Sequence, residues 1–163
     1  NFQSAKIYYT SRNDISDKII IRAGLEDGVV ENSLVLGDEG SVIGRVVNVG
    51  KKLSDVLLLT DLNSKIPVVI LGKNRTKGIL TGTGKSQPKI IYINKDHNIK
   101  KGDLVYTAGD NNLIFSGMYV GKVIKVKEEE IKVKLYQNIK NIDNVLILNK
   151  DQNNKFDKIL EEE

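Results

Sequence analysis

Apolar positions in this chain come in short β-branched runs separated by polar turns. In order they are Lys6–Thr10, Lys18-Ile19-Ile20-Ile21-Arg22, Leu34-Val35-Leu36, Gly40–Val49, Val56–Leu59, Pro67–Leu71, Gly78–Gly82, Lys89–Ile93, Ile99–Val105, Tyr119–Val126, Ile131–Leu135 and Val145–Leu148. Val and Ile suit a pleated, packed surface, so each run predicts a strand. Ile131, Val133 and Leu135 alternate with lysines, the period of a half-buried strand. Pro67 is expected at a strand start, where no ladder N–H is needed. Clusters such as Ser11-Arg12-Asn13-Asp14 and Gly50-Lys51-Lys52 are turn chemistry. Asp61 is expected to cap a single helical turn. No helical period of useful length appears before the tail, so the pattern predicts an all-β chain.

The pattern also repeats. Gly44-Arg45-Val46-Val47-Asn48-Val49 returns as Gly121-Lys122-Val123-Ile124-Lys125-Val126, a glycine and a base inside a β-branched run both times. Val29–Val35 is echoed by Ile99–Val105, and Lys18–Arg22 by Lys89–Ile93, in the same order. Three ordered echoes predict an internal duplication. Short strands at regular spacing then give two small β-barrel subdomains, which should pack on each other because each half buries little alone. The expected boundaries are a lead-in strand over 1–11, a first barrel over 12–75, a second over 76–148, and a polar tail over 149–163. The tail ends in three glutamates and is expected to fray. Turn or close-approach roles fall to Gly24, Gly28, Gly44, Gly82, Gly84, Gly102, Gly109, Gly117 and Gly121.

Composition narrows the function more than the fold. Over 163 residues, 25 basic and 21 acidic side chains leave a net charge of +4. The signs are interspersed, and aromatics are 6%. That is poor support for nucleic-acid binding, although an RNA-binding barrel stays as an alternative. With no cysteine there is no disulfide or thiolate metal site.

Candidate chemistry is thin. Gly78–Ser86 nearly spells a phosphate-binding loop, but Ile79 stands where its first glycine should be, and Pro88 and a β run follow instead of a helix. His97 is the one histidine, so a hydrolase would rest on it, with Asp96, Asp103 and Ser116 as conceivable companions. It sits in the polar stretch Asn94–Asn98, where a solvated loop role is expected. No metal or other cofactor is expected, since the carboxylates lack ligand spacing. Glu128-Glu129-Glu130 reads as a charged hairpin turn that discourages edge pairing. Leu113–Tyr119 lies in the stretch where the second copy is longer. Its Ile114, Phe115, Met118 and Tyr119 form either a partner contact or a cap on a barrel mouth, and partner contact is the role assigned to them.

The joint order of several motifs resembles the rod shape-determining MreC family. They are Ile19–Val29, Gly40–Val46, Val56–Val68, Gly78–Gly84, Lys101–Gly109 and Gly117–Val123. The resemblance implies an extracytoplasmic domain of a single-pass bacterial inner-membrane protein, attached to the membrane only through a helix upstream of this chain. It implies a non-enzymatic scaffold of cell-wall elongation that binds and activates a penicillin-binding transpeptidase. Further partners would be MreD, RodZ and MreB, with a homodimer in the full-length protein and no nucleic acid. Asn32 stands where the family often has glycine, a position asparagine tolerates. Ala108 stands where many members have serine, and the family's usual prolines near Phe115 and Gly117 are absent.

Overall fold

A computed structural model describes residues 2–12, 17–109, 115–139 and 142–149. Twelve strands run in chain order: β1 Phe2–Arg12, β2 Asp17–Ile21, β3 Leu34–Leu36, β4 Val42–Val49, β5 Ser54–Leu58, β6 Lys65–Leu71, β7 Arg75–Thr81, β8 Lys89–Ile91, β9 Leu104–Thr107, β10 Tyr119–Val126, β11 Ile131–Leu135 and β12 Asn144–Leu148. A 3₁₀ turn spans Leu25–Asp27. The strands close two six-membered antiparallel barrels, β1-β12-β3-β4-β5-β2 and β10-β11-β8-β7-β6-β9. The all-β class and the two barrels agree with the sequence pattern.

The duplication is written into the ladders. β4 Gly44 pairs with Val35 of β3 and Leu58 of β5. β10 Gly121 pairs in the same way with Val105 of β9 and Leu135 of β11. Each strand carries a register shift after the pair, at Val46/Asn48 and at Val123/Lys125. Such bulges bend a strand and raise its twist, which is what closing so small a barrel needs. Asn32 has φ 70° and its N–H bonds the Val46 carbonyl oxygen at 2.8 Å. Gly102, its counterpart, has φ 95° and bonds Val123 at 2.8 Å. The left-handed turn therefore survives the asparagine. β2 and β8 are also counterparts, but offset by two residues from the echo of their residue types. Ile21 faces Ser54 and Ile90 faces Ile131, so Ile90 stands on Ile21 rather than on Ile19.

The barrels do not follow the expected boundaries. The repeat does break between β6 and β7, yet the sixth strand of each half completes the other half's barrel. β6 pairs with β7 and β9, whereas β12 returns from the C-terminal side to pair with β1 and β3. Residues 65–71 thus belong to the second barrel and 144–148 to the first. Nor are residues 1–11 a mere lead-in, since β1 is a barrel strand held by β12 and β2. Composition could not reveal this exchange, because β6 and β12 are both apolar runs and suit either barrel. The polar break at 72–74 is only the tight turn of the β6–β7 hairpin, with Gly72 N–H bonded to the Asn74 carbonyl oxygen.

Exchange is accompanied by burial on both faces. In β3, Val35 points into the first barrel, while Leu34 and Leu36 join the core that is continuous with the second. In β12, Val145 and Ile147 point inward and Leu148 joins the shared core. That explains why these strands read as unbroken apolar runs. Pro67 is the third residue of β6, not the first; its carbonyl oxygen accepts the Ala108 N–H at 2.9 Å, just past the end of the β9 ladder. Asp61 caps no helical turn. Its side chain accepts the Asn63 N–H at 2.8 Å, closing an Asx-turn that carries the chain from one barrel to the other.

Candidate functional site

The described part of the predicted contact stretch, 115–119, leads into β10. Thr107 organises it: its hydroxyl donates to the Phe115 carbonyl oxygen at 2.6 Å and accepts the Met118 N–H at 3.0 Å. Phe115 and Met118 are half-buried and pack on the core of the second barrel. Tyr119 opens β10 opposite Tyr106. Its ring lies 5.4 Å from that of Tyr106 and 5.4 Å from that of Tyr136, centroid to centroid. Burial and the two neighbouring phenols push the Tyr119 hydroxyl above the ordinary tyrosine range. Tyr136 is 54% exposed, so the trio presents an aromatic patch to solvent. Tyr106 and Tyr136 were not singled out from sequence; cross-strand pairing of Tyr106 with Tyr119 is the signal that joins them. Ile114 lies outside the described residues.

A second feature lies between the barrels. The chain crosses from β5 to β6 over Thr60–Ser64, and Gly82–Gly84 packs on this crossing. Gly84 N–H bonds the Thr60 carbonyl oxygen at 2.8 Å, and a Cβ on Gly82 would collide with the Asp61 carbonyl oxygen. Buried Asp17 ties in through two bonds of 2.7 Å, its N–H to an Asp61 carboxylate oxygen and its own carboxylate from the Thr60 hydroxyl. Beside this knot opens a cleft of 830 Å³. Ile43, Leu58, Ile124 and Leu135 contribute its apolar floor, and Lys85, Gln87, Lys134 and Gln137 its polar rim. Gln137 also bolts the linker after β11 to the first barrel. It accepts from the Ser41 hydroxyl at 2.8 Å and donates to Asp38 at 2.6 Å.

Of the remaining sequence candidates, the near-phosphate loop lends Gly84, Lys85 and Ser86 to the cleft lining, whereas His97 and its conceivable companions lie away from it. His97 sits in its turn, with Nδ1 accepting the Ile99 N–H at 3.3 Å, and it does not line the cleft. Asp103 instead accepts the Lys100 N–H at 2.8 Å. Among the described residues no hydrogen bond joins His97 to Asp96, Asp103 or Ser116. The Gly78–Ser86 stretch is strand β7 and a turn, with Thr83 bridging the Gln87 carbonyl oxygen at 3.0 Å and the Lys85 N–H at 3.3 Å. It opens no helix. Glu130, in the β10–β11 turn, lies 3.5 Å from both Lys89 and Lys127, and Lys89 chiefly holds its carboxyl below the usual range. Among the described residues no group of His, Asp and Glu could hold a metal ion. Gly28, Gly84, Gly102 and Gly117 take left-handed turns, whereas Gly24, Gly44, Gly82 and Gly121 lie against backbone that a Cβ would strike. Gly109 borders residues outside the description.

The class defined by these features is a double β-barrel protein with an inter-barrel cleft, an aromatic patch on the second barrel, and no catalytic constellation among the described residues. Residues 7–149 match the family model "Rod shape-determining protein MreC, barrel core". The chain belongs to the MreC family. It is 37% identical over 145 residues to the cell shape-determining protein MreC of Caulobacter vibrioides (strain NA1000 / CB15N), covering 89% of this chain and 41% of that protein. The chain thus spans about two fifths of that relative's length. The solved major periplasmic domain of the cell shape-determining filament MreC, in its monoclinic form, superposes with a TM-score of 0.83 at 29% identity, covering 93% of this chain and 99% of that one. A solved complex between penicillin-binding protein PBP2 and MreC from Helicobacter pylori contains the same fold, with a TM-score of 0.73 at 17% identity over 93% of this chain and 99% of that chain.

Proposed function

We infer that this domain is a rigid extracytoplasmic scaffold that holds a penicillin-binding transpeptidase and activates it for rod-shaped growth. The observation that carries the reading is membership of a cell shape-determining family in which a relative of the same fold has been solved in complex with a penicillin-binding protein. The architecture supports it, since interlocked barrels present a fixed surface and binding to a fixed surface loses little to ordering. Ile114, Phe115, Met118 and Tyr119 are the proposed contact, extended to Tyr106 and Tyr136. Aromatic side chains and methionine are what interface cores favour. MreD, RodZ and MreB are proposed as further members of the same assembly. Dimerisation through an upstream coiled coil is proposed for the full-length protein.

The test is titration of the domain into the extracytoplasmic part of the elongation-specific transpeptidase of its own organism. Saturable binding and a faster cross-linking rate are expected, with binding weakened at least tenfold by Tyr119→Ser with Tyr136→Ser, a loss of ~1.4 kcal/mol. Absence of saturable binding would overturn the reading. Full binding by the double variant would move the contact elsewhere.

A further inference from the structure

The inter-barrel cleft has the chemistry of a peptide site. Its volume falls in the range of ligand pockets, and it lies at a junction between folded units, where such pockets are common. No aromatic side chain lines it, so it lacks the stacking faces that sugars and bases use. It offers instead aliphatic floor, side-chain amides and two exposed cations. Lys85 and Lys134 make no ion pair among the described residues. Asp17 is the one acidic side chain in the lining; it is buried and its carboxylate already accepts the Thr60 hydroxyl. The rim is therefore electropositive. β11 also runs past its neighbour here. Its last bond toward β8 is from Val133 N–H to the Pro88 carbonyl oxygen, and among the described residues no backbone bond joins Lys134 or Leu135 to the 84–87 turn. A strand end open on one side invites an extended peptide.

The chain carries a segment that matches. Ile159-Leu160-Glu161-Glu162-Glu163 sets two aliphatic side chains beside three carboxylates. Reach is adequate. Residues 150–158 separate Asn149 from Ile159 and can span ~30 Å. Asn149 is separated from the linker at Ile139 by the turn at Ile142 and by the five residues of β12, a strand of ~17 Å.

We propose that the acidic C-terminal segment Ile159–Glu163 docks in the inter-barrel cleft, its Ile and Leu on the Ile43–Leu135 floor and its carboxylates against Lys85 and Lys134. The cleft is then self-occupied, and a competing acidic peptide enters only by displacing the tail. This does not rest on the transpeptidase reading, whose aromatic contact residues are not among those that line the cleft.

The absence of cysteine makes the test direct. Asn154→Cys in the whole chain gives a single site for a nitroxide, and amide signals are compared with the label oxidised and reduced. The amides of Ser86, Gln87, Lys134 and Leu135 are expected to lose most of their intensity, and to regain it in Lys85→Glu with Lys134→Glu. Changing Glu161, Glu162 and Glu163 to Lys in that background should restore the loss, which a misfolded variant could not do. Loss in an isotope-labelled, spin-free chain mixed with a spin-labelled one would place the docking between two copies and overturn docking within one. Intensity loss spread over other surfaces, or unchanged by charge reversal, would overturn the proposal altogether.

Discussion

Gly44 and Gly121 show what a single missing side chain does. Neither has the positive φ that would make glycine a matter of backbone strain. Each is a point of close approach. A Cβ on Gly44 would meet the Leu57 carbonyl oxygen and one on Gly121 the Lys134 carbonyl oxygen, both on the neighbouring strand of the ladder. Backbone cannot step aside as a flexible side chain can. Gly44→Val and Gly121→Val are each expected to cost ~1–3 kcal/mol, read as a lower urea midpoint at unchanged slope. Unchanged midpoints would contradict the close-approach account. Tyr119 carries a second prediction at this scale. Burial, then Tyr106 and Tyr136, disfavour its phenolate, so its folded value lies above its unfolded value near 10. The folded chain then keeps the proton that the unfolded chain releases. The associated stability is complete below pH 10 and is lost as pH rises through the raised value. Thermal melts from pH 8 upward should therefore show a smaller alkaline decline in Tyr119→Phe than in the wild type.

Among the elements, the stretch 115–119 divides between core and surface. Phe115 and Met118 pack on the second core while Tyr119 joins the surface trio. Phe115→Ser with Met118→Ser is accordingly expected to lower stability by ~2–4 kcal/mol, the side chains being only partly buried. A wild-type melting curve for that variant would show that the pair has no packing role. Much of this element scale was legible beforehand. The repeated Gly-base strand, the Asn32 turn and the Glu128–Glu130 hairpin are local signals, fixed by β-branched runs and turn chemistry. Asp61 was misjudged because an aspartate two residues before a free N–H closes an Asx-turn as readily as it caps a helix. The Lys18 and Lys89 echo was misaligned by two because β-branched residues are interchangeable along a strand, and only the ladder fixes register. The tyrosine trio is hidden in the sequence because Tyr106 lies in β9, Tyr119 in β10 and Tyr136 just past β11.

At the scale of the whole molecule, the exchange of β6 and β12 matters most, and it was the least legible. Which barrel an apolar strand completes depends on contacts far apart in sequence. β12 reaches β1 and β3 only after the chain has built the second barrel. Each barrel therefore needs a strand from the other half, and Leu34, Leu36, Leu59 and Leu148 join one core with the interior of the second barrel. Neither barrel can close alone. A molecule made in this way should hold its two surfaces at a fixed relative position until it unfolds altogether. Differential scanning calorimetry of the wild-type chain tests this directly. Interlocked barrels predict a single transition whose calorimetric and van't Hoff enthalpies agree, with a ratio of about 1. Two resolved transitions, or a calorimetric enthalpy well above the van't Hoff value, would mean that the barrels unfold independently and would contradict the account.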